Sequence, residues 1–226
     1  MGLDLYAKLE PLIPFENEIV YLYDAFIEKM EELKPTSILD VGCGNGNFIK
    51  AVQNCGFSNI EGIDLSKEMV KIAKQKGVEA EHIDIAQKEG QYEMITAVFD
   101  VLNYLDTPTL KSFLKDAHRL LKPGGVFIAD INSQYGFEEI APGSLLVQKD
   151  NYYGSLDAEY EKEVLTTKLR LFTPKESLFE MSEDTIIQYY HPISRLKKLS
   201  PFQNMRHEPL NLYGEEADKH LLLFTK

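Results

Sequence analysis

Apolar and polar residues along the chain follow two different rhythms, and the change falls near Asn132. Before it, short continuous apolar runs alternate with stretches in which apolar residues recur every three or four positions. The runs predict buried strands and the stretches predict amphipathic helices. Residues 3–34 predict helix, interrupted near Pro11 and Pro14, with Tyr23, Phe26, Ile27 and Met30 on one face. Five strands are expected at Ile38–Val41, Asn59–Asp64, Glu79–Ile83, Tyr92–Phe99 and Val126–Asn132. A helix from about Asn47 to Cys55 follows the first, with Gly56 at its end. Another runs from a Ser66 cap to Lys76, closed by Gly77. A third runs from a Thr107 cap, with Pro108 in first helical position, to Leu121. Strands alternating with helices imply a parallel sheet covered on both faces.

After Asn132 the alternation stops. Leu145–Gln148, Glu161–Phe172 and Leu178–Tyr190 read as extended, the last two joined by the turn at Pro174–Ser177. Tyr135, Tyr152, Tyr153, Tyr160, Tyr189 and Tyr190 concentrate here. The expectation is an antiparallel β lid at 133–191 inserted into a core of 1–132 and 192–226. Pro192–Leu199 predicts a short helix, and Met205–Tyr213 with His220–Thr225 a closing antiparallel hairpin.

Charge and composition narrow the partners. The net charge is -12 and no basic stripe is present, which disfavours nucleic acid. No apolar run approaches the roughly 20 residues that span a bilayer, so no membrane is expected. The first residues lack the basic and apolar regions of a secretory leader. The only cysteines, Cys43 and Cys55, form no disulfide framework and no zinc pattern. A reducing cytoplasm, no metal, and a monomer or homodimer acting on a small molecule are the expectations.

The chemistry centres on Asp40-Val41-Gly42-Cys43-Gly44-Asn45-Gly46, between the first strand and its helix. Glycines there let a ligand approach bare backbone, and the helix start adds unpaired N–H groups. Dinucleotide enzymes use G-x-G-x-x-G with a pyrophosphate on the helix. Here the spacing is G-x-G-x-G behind an acid, which suits a ligand bearing an amino group. Asp64 ends the second strand, where a carboxylate can accept from two ribose hydroxyls. Asp84 follows the third strand, within reach of an adenine amino group. Met69 reads either as core or as an adenine contact. Asp100–Leu105 would cross the front of the ligand.

These segments, with Glu61–Ser66 and Leu121–Val126, resemble the motifs of class I methyltransferases that use S-adenosylmethionine. The likeness covers about residues 36–132. It implies a seven-stranded, mostly parallel α/β sheet of order 3-2-1-4-5-7-6, with strand 7 antiparallel. Asp100-x-x-Asn103-Tyr104-Leu105 and Asp130-Ile131-Asn132-Ser133 are similar to small-molecule methyltransferases with a β-rich lid, including amino-sugar N-methyltransferases. Those enzymes often carry Tyr-Asp near the N-terminus, where this chain has Tyr6-Ala7. The implied cofactor contacts are Asp40, Gly42, Gly44, Asn45, Gly46, Asp64, Leu65, Met69, Asp84, Ile85 and Phe99. Tyr104, Asn132 and Tyr135 are the expected substrate contacts, and His191 the expected base. Methyl transfer to N or O of a small molecule is the leading reading. A tRNA or protein methyltransferase, a silent S-adenosylmethionine-binding protein and a nicotinamide dehydrogenase are the alternatives.

Overall fold

The computed structural model describes residues 2–226. Its helices are α1 (Leu3–Leu9), α2 (Glu16–Leu33), α3 (Asn47–Asn54), α4 (Lys67–Gln75), α5 (Thr107–Leu120) and α6 (Ile193–Leu199). Strands β1 (Ile38–Val41), β2 (Ile60–Asp64), β3 (Ala80–His82), β4 (Tyr92–Ala97) and β5 (Leu121–Asn132) follow α2, with α3 after β1, α4 after β2 and α5 after β4. Four more, β6 (Gly143–Lys149), β7 (Tyr152–Glu161), β8 (Val164–Lys175) and β9 (Leu178–Tyr189), precede α6. The chain closes with β10 (Asn204–Leu210) and β11 (Lys219–Thr225).

One sheet has the order β10-β11-β5-β4-β1-β2-β3. β11 runs antiparallel to β5 and to β10, and the other pairs are parallel. With β10 and β11 counted as six and seven, this is the expected order. The central strands β1 and β4 and the second half of β5 are largely apolar because both faces are covered. β1 is buried throughout, sending Leu39 into a core with Ile95, Phe127 and Leu114. Its neighbour Ile38 joins Phe26, Met30, Ile49, Met94 and Ile128 in a second core under α2 and α3. Among the described residues no helix is long and apolar enough to cross a membrane.

Several boundaries differ from the expectation, each for a local reason. Asp106, not Thr107, caps α5, accepting from Thr109 N at 2.9 Å, which moves Pro108 to the second helical position. β4 stops at Ala97 because Phe99 and Asp100 turn left-handed, with φ of 64° and 59°. The Lys122–Gly125 turn lies inside β5 as a bulge: Leu121 pairs with Tyr92, and Val126 next pairs with Met94. β3 is limited to Ala80–His82.

The second sheet is an antiparallel meander, β6-β7-β8-β9. The apolar pattern misses β7 because Gly154 and Ser155 occupy its buried positions. Any Cβ at Gly154 would come within 2.4 Å of Leu9 Cδ2, so a leucine of α1 fills that space. Leu5 and Leu9 pack with Val147, Leu169, Leu171 and Ile186. The N-terminal helix, grouped with the core from sequence, thus shares its apolar contacts with the inserted sheet.

Candidate active site

The carboxyl ends of β1 to β4 open into one cavity of about 420 Å³. Parallel strands place the loops that follow them at this edge, where ligands of open α/β sheets bind. Asp40, Gly42, Gly44, Asn45, Asp64, Leu65, Met69, Asp84, Ile85, Phe99 and Tyr104 all line it. Gly46 does not; with φ of 78° it forms the bend that starts α3.

The glycine turn is built by close packing. Gly42 has φ of 75°, and a Cβ there would stand 2.7 Å from Val101 Cγ2. At Gly44, with φ of 52°, the corresponding position faces open space. Gly44 N donates to Asp64 Oδ2 at 2.8 Å, and Ser66 N to Asp64 Oδ1 at 2.7 Å. Ser66 then caps α4 by accepting from Met69 N at 3.2 Å. Asp64 therefore ties β2 to the glycine turn while each oxygen keeps a lone pair for a ligand. Asn45 is partly engaged: its Nδ2 donates to Glu10 Oε2 at 2.8 Å and its Oδ1 accepts from Asn47 N. Asp84 Oδ1 accepts from Ala86 N at 2.8 Å, a capping role that leaves Oδ2 without a partner in the described structure.

Asp40 is 1% exposed and accepts from the Thr96 hydroxyl at 2.7 Å. Burial pushes its carboxyl up to about 7; the Thr96 bond opposes that shift and nearby Asp64 adds to it. Such a carboxylate gains most from a cationic partner. An open backbone cradle, a ribose-ready Asp64 and a buried acid fit S-adenosylmethionine, whose amino group and ribose hydroxyls are donors.

Three expected residues lie elsewhere. His191 is 1% exposed and outside the lining; its Nε2–H donates to the Leu105 carbonyl at 2.8 Å. Its Nδ1 has no partner, and burial lowers its affinity for a second proton. Asn132 gives its backbone N–H to Asn103 Oδ1 at 3.0 Å and also lies outside the lining. Tyr135 sits against the loop at Gly214, where an added Cβ would meet its ring at 2.8 Å. That loop instead contributes Tyr213 to the cavity. The buried Asp218 carboxylate arranges it, accepting from the backbone N–H groups of Leu212, Tyr213 and Gly214.

Sequence patterning did not single out Glu10, Tyr23 or Tyr213 as lining residues, whereas Asp100, expected in the loop that crosses the ligand, does line the cavity. Tyr6, read from sequence as anchor or lid, also lines the cavity, and burial followed by nearby Glu10 raises its hydroxyl to about 12. Asn103 explains the Asp-x-x-Asn spacing. It is fully buried, accepts from Asn132 N on β5 and donates to the Tyr189 carbonyl on β9 at 2.9 Å. The carboxylates of Glu10, Asp40, Asp64, Asp84, Asp100 and Asp116 line the cavity, and among the described residues no Lys, Arg or His does. No group of metal-ligating side chains is found among the described residues.

Comparison with known proteins agrees with this geometry. Residues 38–125 match the family described as "Methyltransferase domain". The ubiquinone biosynthesis O-methyltransferase of Paracidovorax citrulli is 33% identical over 138 residues, 57% of this chain and 56% of that protein. The chain thus spans about half the length of the curated relatives it matches. A solved S-adenosylmethionine-dependent methyltransferase from Clostridium acetobutylicum superposes with a TM-score of 0.77 at 22% identity, covering 98% of this chain and 96% of that one. An amino pentose methyltransferase from Micromonospora echinaspora superposes with a TM-score of 0.69 at 16% identity, covering 90% of each. Residues 38–125 thus match a methyltransferase domain, on a fold shared with solved S-adenosylmethionine-dependent methyltransferases.

Proposed function

We propose that the protein transfers the methyl group of S-adenosylmethionine to nitrogen or oxygen of a small molecule. When bound, S-adenosylmethionine supplies a methyl carbon activated by an adjacent sulfonium. The observation that carries this reading is the convergence of Asp40, Gly44 and Asp64 on one cavity that also holds Phe99, Asp100 and Tyr104. Gly44 and Asp40 hold the amino-acid end of the nucleoside, Asp64 its ribose, and Asp84 with Ile85 and Met69 its adenine. Positioning of two reactants supplies much of such a rate, about 7–11 kcal/mol in well-oriented intramolecular cases.

Nitrogen is the favoured acceptor atom. A neutral amine presents a lone pair, whereas a hydroxyl must lose a proton to a base. No histidine lines the cavity among the described residues, and the acidic wall attracts amines and repels anions. An amine also agrees with the one structural neighbour that is an amino pentose methyltransferase. The O-methyltransferase named among the relatives supports the second reading, a hydroxyl acceptor. The net charge of -12 disfavours a tRNA substrate.

The test is formation of S-adenosylhomocysteine with panels of amines, amino sugars and phenols. Turnover with amines is expected. Tight S-adenosylmethionine binding without turnover on any panel would favour a non-catalytic binding protein.

A further inference from the structure

A charged cluster beside the cavity lies outside the set of residues assigned above to the nucleoside's amino-acid end, ribose and adenine. Lys219, at the start of β11, is 2% exposed. Its Nζ donates to Asp130 Oδ2 at 2.9 Å and to Asp100 Oδ1. Asp130, fully buried on β5, also accepts from Phe99 N at 2.7 Å and Asp100 N at 3.2 Å. These last two bonds hold the consecutive left-handed residues Phe99 and Asp100, a conformation that persists only where the surroundings over-determine it. The strained turn carries Asp100 into the cavity wall.

Two carboxylates share the one Lys219 amine, so Asp100 has no cationic partner of its own. Asp100 Oδ2 has no hydrogen-bond partner among the described residues. A partly buried, uncompensated charge is costly, and a cation brought to it offsets that cost. Tyr6, Tyr23, Phe99, Tyr104 and Tyr213 line the same cavity, and aromatic faces attract ammonium groups.

Strand order places Asp100 at the reacting end. The sheet runs β3-β2-β1-β4, so Asp84, Asp64, Asp40 and Asp100 follow one another across the cavity. A nucleoside held with its adenine at Asp84 and its ribose at Asp64 would bring its sulfur toward β1 and β4.

We propose that Asp100 accepts a hydrogen bond from the acceptor's amine, with Lys219 and Asp130 as positioning residues that fix its carboxylate there. This rests on the methyl-transfer reading above. It adds a specificity-determining residue, and it selects acceptors whose attacking nitrogen, neutral and with its lone pair on the methyl carbon, carries an N–H to donate to Asp100.

The test compares two nucleosides by titration calorimetry. S-adenosylhomocysteine lacks the methyl group. Sinefungin carries an amine on a carbon that replaces the methylated sulfur, and so brings an N–H donor to the reacting position. The wild-type protein should bind sinefungin at least about tenfold more tightly, the scale of a charge-assisted hydrogen bond. Asp100→Asn should bring the ratio to within about threefold while S-adenosylhomocysteine affinity is kept. Asp130→Asn leaves Phe99 N an acceptor and should lower the same ratio, which a purely structural role would not move. Equal loss of both nucleosides, or an unchanged ratio in Asp100→Asn, would overturn the proposal. The absence of any sinefungin preference in the wild type would overturn it without recourse to a variant. Failure of the wild type to bind either nucleoside would instead defeat the methyl-transfer reading.

Discussion

Replacing Asp64 with alanine removes the one side chain that spans the glycine turn, the α4 cap and the ribose position. Its oxygens accept from Gly44 N at 2.8 Å and Ser66 N at 2.7 Å, leaving one lone pair each for two ribose hydroxyls. A hydrogen bond to a charged group contributes about 1.5–3 kcal/mol. Two such bonds, taken at the lower value because the group is only half-buried, give about 3 kcal/mol, or roughly a hundredfold in Kd. Asp64→Asn separates the ligand term from the structural one. The amide oxygen can still receive one backbone N–H, so Gly44 keeps its partner while the charge is lost. About tenfold weaker binding is expected there, with a thermal midpoint closer to wild type than that of the alanine variant. Calorimetric titration with S-adenosylhomocysteine, alongside melting curves, reads both quantities. An Asp64→Ala variant that binds within about threefold of wild type would refute the assignment of the ribose to this carboxylate.

Asp40 makes binding pH-dependent. Its folded-state carboxyl lies at about 7, and a cationic amine draws it down, so binding near neutrality should release a proton and affinity for S-adenosylmethionine should rise from about pH 6 to 8. Titration in buffers of different ionisation enthalpy checks the release, and Asp40→Asn should abolish most of the slope. The ligand-free protein has the opposite dependence. Because the folded pKa lies above the unfolded value, Asp40's contribution to stability is complete below about pH 4 and is lost as pH rises through about 7, measurable by urea unfolding. His191→Ala should cost about 1–3 kcal/mol of stability by leaving the partly buried Leu105 carbonyl without its His191 donor, with nucleoside affinity unchanged. An unaltered unfolding midpoint with lost turnover would restore it as a base.

The sheet was legible because burial on both faces leaves a direct mark. Ile38–Val41 is apolar except for Asp40, and that exception pointed to the site. Asp64 was legible for a similar reason, since it stands where the buried strand through Ile60 and Ile63 stops, and Asp84 was legible from its place directly after the third strand. Contacts between distant segments were not. Lys219 and Asp100 lie 119 positions apart, and neither interrupts a pattern that marks a partner. Tyr213 reaches the cavity through a loop shaped by Asp218, which no periodicity encodes. Asn132, Tyr135 and His191 lie at or after the ends of strands, as ligand contacts do, but outside the cavity lining, with the Asn132 backbone N–H on Asn103, Tyr135 against Gly214 and His191 on the Leu105 carbonyl. β7 escaped notice because α1 supplies the apolar group that Gly154 lacks.

Calorimetric titration of the wild-type protein with S-adenosylmethionine, S-adenosylhomocysteine and NAD tests the central claim most directly. Micromolar or tighter binding of both sulfur nucleosides, with no heat from NAD, is the predicted result, on the scale of about -8 kcal/mol. Binding of NAD alone would contradict it and return the glycine turn to the dinucleotide enzymes.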